Sequence, residues 1–231
     1  DGDIRGAVHT SVRHDSVRGH VTGAARYIDD MPILPGTQEI VLVICPHAHA
    51  RIVSIDVSAA LAMDGVRGIA TAADIPGHND IGPIFEGEPV LVEGVAEYAG
   101  APVGAVAADT YDQARAAAAA VLVEYEELTP VLDIEDALAR EHYTYPPQTI
   151  THGDPEAAIA GAAHRIEGEL GCGGQDHFYL ESNIALAVPR DDGDLDVYSS
   201  TQHPSEVQHG VARTLGVPSN AVTVEVRRMG G

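Results

Sequence analysis

Between residues 39 and 44 the chain reads EIVLVI, a short apolar run rich in β-branched side chains. Ile52, Ile55 and Val57 continue in the same style beyond a turn region at 46–50. β-Branched residues pack well on a pleated surface, so the two stretches are predicted to be paired strands. The pattern changes to Ala and Leu at helical spacing over 57–63 and becomes strand-like over 65–70. A helical turn at 72–75 is closed by Pro76 and Gly77. Residues 77–94, rich in Gly, Pro and acidic side chains, read as loop. A cleaner unit follows: a small-residue strand at 103–107, a helix capped by Thr110 and running through Ala120, and a strand at 121–125. That order predicts a βαβ-like unit.

Residues 128–133 read as a connector, 134–139 as a short helix, and 141–151, with Pro146 and Pro147, as an extended link that places a domain boundary near 140–152. The second part opens with Asp154 as a helix N-cap and Pro155 in the first helical position, ahead of 156–161. Strands are expected at 163–170 and 178–189, separated by a flexible turn at 171–175. An acidic turn at 191–194 leads to a strand at 195–199. After a turn at 200–203, a helix starts at Pro204 with Val207, Val211 and Leu215 on one face, and Gly216 ends it. A last strand at 221–226 runs into Arg227, Arg228, Met229 and two glycines. No internal repeat is visible.

With 231 residues and a hydrophobic fraction of 45%, the chain can bury one or two modest cores. It has no run of eighteen apolar residues, so no membrane span is expected. The 13 basic against 35 acidic residues give a formal charge of -22. That charge repels phosphate backbones and anionic lipid surfaces over a Debye length of about 8 Å. Nucleic acid and membranes are thereby disfavoured as partners. Residues 1–14 carry no charged segment followed by an apolar one, which argues against secretion and for the cytoplasm, and the missing initiator Met reads as trimming from a longer product. Cys45 and Cys172 have no metal-type or redox-type spacing and read as buried, reduced thiols.

Several constellations could carry chemistry. His47 and His49 share a face of an extended segment but lack a local third zinc ligand. Asp176 and His177 would point to opposite faces of a strand, so with Glu181 they read as strand-end polar groups beside a structural turn at 173–175 rather than as an acid/base site, and that loop is expected to line a domain interface. His203 and His209 do not share a helix face, and Glu124, Glu126 and Glu127 read as a solvated strand edge. Ser199 and Ser200 lie in no G-x-S-x-G elbow, and the chain holds no G-x-G-x-x-G or Walker loop.

Four stretches, in matching order and spacing, resemble the molybdenum hydroxylase family, the xanthine dehydrogenases and aldehyde oxidases. They are VTGAARYIDD at 21–30, residues 111–138, GGQDHFYLE at 173–181, and STQHPSEVQHG at 200–210 with RRMGG at 227–231. GGQDHFYLE together with STQHPSEVQH resembles the xanthine dehydrogenase branch, in its bacterial forms with a separate molybdenum subunit.

The resemblance implies an α+β fold. A hammerhead-like α/β domain would span 21–135 after an N-terminal arm at 1–20, a linker 136–152, and the beginning of a molybdopterin-binding α+β domain 153–231. It further implies an oxidoreductase in which molybdenum, held by molybdopterin, hydroxylates a purine carbon with oxygen from water. Electrons would leave through 2Fe-2S clusters and FAD, in partner domains or subunits, to NAD. The expected partners are the remainder of the molybdenum subunit, an Fe-S/FAD subunit and a purine substrate, in a hetero-oligomer. Gln202 falls where the family places a glutamine that hydrogen-bonds an oxo ligand of molybdenum. A neutral amide can donate to an oxo group without competing as a ligand, and the positive end of the helix from Pro204 lies nearby. The bland reading of a turn glutamine is that it satisfies turn backbone groups. Gly230 and Gly231 match the start of a glycine-rich loop whose N–H groups approach the cofactor. The purine-holding residues and the base fall later in the family's sequence. The isolated chain is therefore expected to be inactive, and the competing reading is a catalytically silent fragment or assembly module that binds no cofactor alone.

Overall fold

A computed structural model describes residues 10–229. A short helix, α1 (Val17–Thr22), and a 3-10 turn at Ile28–Asp30 precede the first layered unit. That unit comprises β1 (Glu39–Ile44), β2 (Ala50–Asp56), α2 (Ser58–Leu61), β3 (Val66–Ala70), β4 (Val95–Ala96), β5 (Pro102–Ala108), α3 (Tyr111–Ala120) and β6 (Leu122–Glu127). Next come α4 (Ile134–Ala139) and α5 (Pro155–Gly161). The chain closes with β7 (Ala185–Pro189), β8 (Leu195–Ser199), α6 (Pro204–Leu215) and β9 (Val222–Glu225). The architecture is mixed α and β, as expected. No helix among the described residues is long and apolar enough to cross a membrane.

Two antiparallel three-stranded sheets, ordered β1-β5-β3 and β4-β2-β6, form the first unit. β1 and β2 are thus not paired with each other, as their patterns alone suggested. The connection at 46–49 is no tight hairpin turn, and it carries the chain from one sheet to the other. The expected βαβ-like unit fails for the same reason, because β5 pairs with β1 and β3 while β6 pairs with β2. Strand composition explains the packing. β5 reads PVGAVAA, and Val103, Val106 and Ala108 on it are fully buried. Ala114 and Ala117 let α3 approach β1 and β5 closely. Thr110 caps α3 by accepting from the Gln113 N–H. Cys45 lies in this core at zero exposure, and burial, reinforced by Cys45, pushes the Tyr125 phenol up to about 12. Cys172, by contrast, is exposed, contrary to expectation, because its glycine-rich segment is exposed throughout 171–178.

In the second part β8 pairs antiparallel with β7 and parallel with β9. A parallel pair needs a long crossover, and α6 supplies it. This is the parallel βαβ unit among the described residues. Val197, Ala212 and Val222 form its core, with Val207, Val211 and Val224 packed around them. Leu215, expected to share their face, is 40% exposed. Steps of four residues turn only about 40°, so Leu215 still falls on the face of Val207 and Val211, but as the last residue of α6 it is exposed, while Ala212, three residues earlier, is buried. Asp154 caps α5 from the expected position, accepting from the Ala157 N–H. The strands expected at 163–170 and over 178–184 do not form. A strand needs a neighbour to complete its ladder, and no described residue provides one there, so Leu170 and Phe178 are exposed.

The central place of β5 gives a first prediction. Val103→Ala should cost about 2 kcal/mol through lost burial plus a residual cavity, whereas Ile40→Ala on the exposed side of β1 should cost under about 0.5 kcal/mol. Urea unfolding of the two variants checks this, and equal costs would contradict the assignment of the core.

Candidate functional site

Residues 200–203 connect the end of β8 to the start of α6, and their side chains divide the work of holding that turn. The Ser200 side chain is the one buried polar residue of the described core. Its hydroxyl donates to Ser182 O at 2.8 Å and accepts from Ile184 N at 3.1 Å, which ties the turn to the entry of β7. Thr201 Oγ1 accepts from His203 N at 3.1 Å. His203 Nδ1 accepts from Glu206 N at 3.3 Å and thereby caps α6, with Pro204 in the first turn where its missing N–H costs nothing. Gln202 is exposed, and its amide makes no hydrogen bond among the described residues. The turn is braced by the residues on either side of Gln202, not by Gln202 itself. An unengaged carboxamide therefore sits at the positive end of a 12-residue helix.

A second feature lies close by in the chain. A cleft of about 520 Å³ is lined by Tyr27, Ile28, Glu181, Ser199 and Arg228, among others. It brings together three of the stretches singled out from sequence, VTGAARYIDD, GGQDHFYLE and RRMGG. Glu181 Oε1 accepts from Ile28 N at 2.7 Å, so its carboxylate joins the segment after α1 to the second part of the chain. That contact agrees with an interface role for this stretch, and neither Asp176 nor His177 joins it: both are exposed on irregular backbone. The Arg228 guanidinium lies 6.0 Å over the Tyr27 ring, and its Nε is buried without a partner. Sequence reasoning missed Tyr27 and Arg228 as site-lining residues, although both stand inside the quoted stretches.

The competing constellations stay apart. His49 Nδ1 hydrogen-bonds Thr129 O at 2.9 Å, and His47 Nδ1 lies 3.5 Å from Glu127. Among the described residues no group of three or more His, Cys, Asp or Glu is arranged to hold a metal ion. Gly230 and Gly231 fall outside the described residues.

Residues 22–129 match the family described as "Aldehyde oxidase and xanthine dehydrogenase, a/b hammerhead domain", and residues 136–231 match the "Molybdopterin cofactor-binding domain". The chain is 41% identical to the xanthine dehydrogenase of Calliphora vicina, over 94% of this chain and 16% of that protein. It is 40% identical to aldehyde oxidase 2 of Cavia porcellus, over 97% of this chain and 17% of that one. Its fold superposes on quinoline 2-oxidoreductase from Pseudomonas putida 86 with a TM-score of 0.81 and 31% identity, covering 96% of this chain and 30% of that chain. The chain thus spans about one sixth of the length of these curated relatives.

The bracing of the turn is testable without any ligand. Ser200→Ala should leave the Ser182 carbonyl and the Ile184 N–H without their partner, and cost about 1–3 kcal/mol. Thermal unfolding checks this, and an unchanged melting temperature would contradict the role given to Ser200.

Proposed function

The chain belongs to the aldehyde oxidase and xanthine dehydrogenase family, and we propose that it contributes the Gln202 side of the molybdenum centre of a xanthine dehydrogenase. The observation that carries the proposal is the unengaged Gln202 amide, at the N-terminus of α6 and inside the region matched by the molybdopterin-binding family. The residues present fit the group. Ser200, Thr201 and His203 satisfy the turn, which leaves the Gln202 carboxamide N–H free to donate to an oxygen ligand of the metal. When bound, molybdenum with its pterin supplies oxygen transfer from water to a purine carbon and accepts the electrons released.

This chain's own contribution is orientation and charge stabilisation. Gln202 donates a hydrogen bond toward charge that changes on the metal's oxygen, and the dipole of α6 adds to it. Gly230 and Gly231 offer backbone N–H groups with no side chain in the way. Hypoxanthine and xanthine, ending in urate, are the proposed substrates, and the motif resemblance to the xanthine dehydrogenase branch supports that choice. Overall identity does not decide it, since the aldehyde oxidase relative matches as well as the xanthine dehydrogenase. Substrate contacts, the base, and the 2Fe-2S and FAD carriers leading to NAD are assigned to the remainder of the molybdenum subunit and to an Fe-S/FAD subunit in a cytoplasmic hetero-oligomer.

In the complete protein, Gln202→Ala should lower kcat for xanthine about 10²-fold at undiminished molybdenum content. Unchanged turnover in the fully loaded variant would remove Gln202 from the mechanism, and benzaldehyde outpacing xanthine in the parent protein would move it to the aldehyde branch.

A further inference from the structure

The last carbonyls of a helix have no partner within it. In α6 part of this need is met locally, by the left-handed Gly216, whose N–H donates to Arg213 O. The rest is met from a distant part of the chain. Gly77 N donates to Thr214 O and His78 N donates to Arg213 O, both at 2.9 Å. The first unit's loop thus caps the helix that carries Gln202 at its other end. The approach is backbone against backbone and depends on the missing side chain of Gly77. A Cβ there would stand 2.1 Å from Arg213 O, 2.5 Å from Gly216 N and 2.8 Å from Thr214 O.

The loop that makes this contact is itself held firmly. Asn79 Nδ2 donates to Leu91 O at 2.7 Å, and Leu91 N donates back to Asn79 Oδ1 at 3.0 Å. Asp80 accepts from Gly82 N at 2.8 Å and Gly87 N at 2.6 Å, and these N–H groups, Gly87 first, hold its carboxyl below the usual range. Val92 N donates to Pro102 O at 2.7 Å, which fixes the loop's exit to β5 at the centre of the first core. On its other flank α6 is held to β9 by Gln208 Nε2, which donates to Val222 O at 2.7 Å. A continuous chain of backbone and buried contacts therefore runs from the first core, through Asn79 and Gly77, to α6, whose 12 residues span about 18 Å up to the turn bearing Gln202.

We propose that Gly77 and His78 form a clamp through which the first unit positions Gln202, with Gly77 its positioning residue and Asn79 its brace. The proposal rests on the reading of Gln202 given above, and the test separates the two. In the complete protein, hydrogen exchange is followed over 204–209, at the end of α6 remote from the clamp, for Gly77→Val and for Asn79→Ala. The second variant removes the brace without introducing a clash. Gly161→Ala, at a glycine with open space around it, is the control.

Both variants should raise exchange over 204–209 about 10-fold or more, and lower kcat at unchanged KM and molybdenum content, while the control does neither. In a Gln202→Ala background, Gly77→Val should cost no further activity, because the clamp acts through that side chain. Unchanged exchange over 204–209 in both variants would overturn the clamp. Losses that multiply in the double variant would overturn its action through Gln202. Raised exchange combined with an inert Gln202→Ala would sink the Gln202 reading and leave the clamp in place.

Discussion

A helix cannot be placed in a fold until the polar groups at both its ends have partners, and α6 meets that constraint in two different ways. At its start His203 caps it through a side chain. At its end the cap is partly another unit's backbone, Gly77 and His78, admitted because Gly77 has no Cβ. The sheet β7-β8-β9 depends on this helix, since β8 and β9 run parallel and are joined through it. The placement of the turn at 200–203 follows from the helix, and so does that of Gln202.

That dependence explains which parts of the structure were legible in the sequence. Local signals are legible: Thr110, Asp154 and Pro204 mark helix starts because a cap is a contact between near neighbours. Strand pairing is not legible in the same way. β1 and β2 look like partners by composition, yet they belong to separate sheets, because pairing is decided by distant strands such as β5. The strands expected at 163–170 and over 178–184 fail for a related reason, since alternation describes a face and not a neighbour. In the sequence Gly77 reads only as punctuation closing a helical turn. Its close approach to residues 213–216 depends on a contact more than a hundred positions away, and no local pattern encodes it.

The site was legible to a similar degree. Gln202 stood out through its surrounding motif, and the bland reading, that it satisfies the turn, loses ground because Thr201 and His203 already do so. Glu181 reads in the sequence as a strand-end group, and in the fold it joins the segment after α1 to the second part of the chain. Tyr27 and Arg228 were not singled out, because an aromatic and an arginine some two hundred positions apart gain meaning only once the fold sets one over the other. The cleft they share shows that the quoted stretches converge in space as well as recur in order.

The Gln202 carboxamide, left free by its turn, is proposed to donate to an oxygen on the bound metal. The most direct measurement is an experimental structure of the complete, molybdenum-loaded protein, refined well enough to fix the orientation of that amide. Gln202 Nε2 is expected within about 3 Å of a molybdenum-bound oxygen, with α6 still capped by Gly77 and His78. A Gln202 amide bonded instead to the turn's own backbone, or directed away from the metal into solvent, would contradict it.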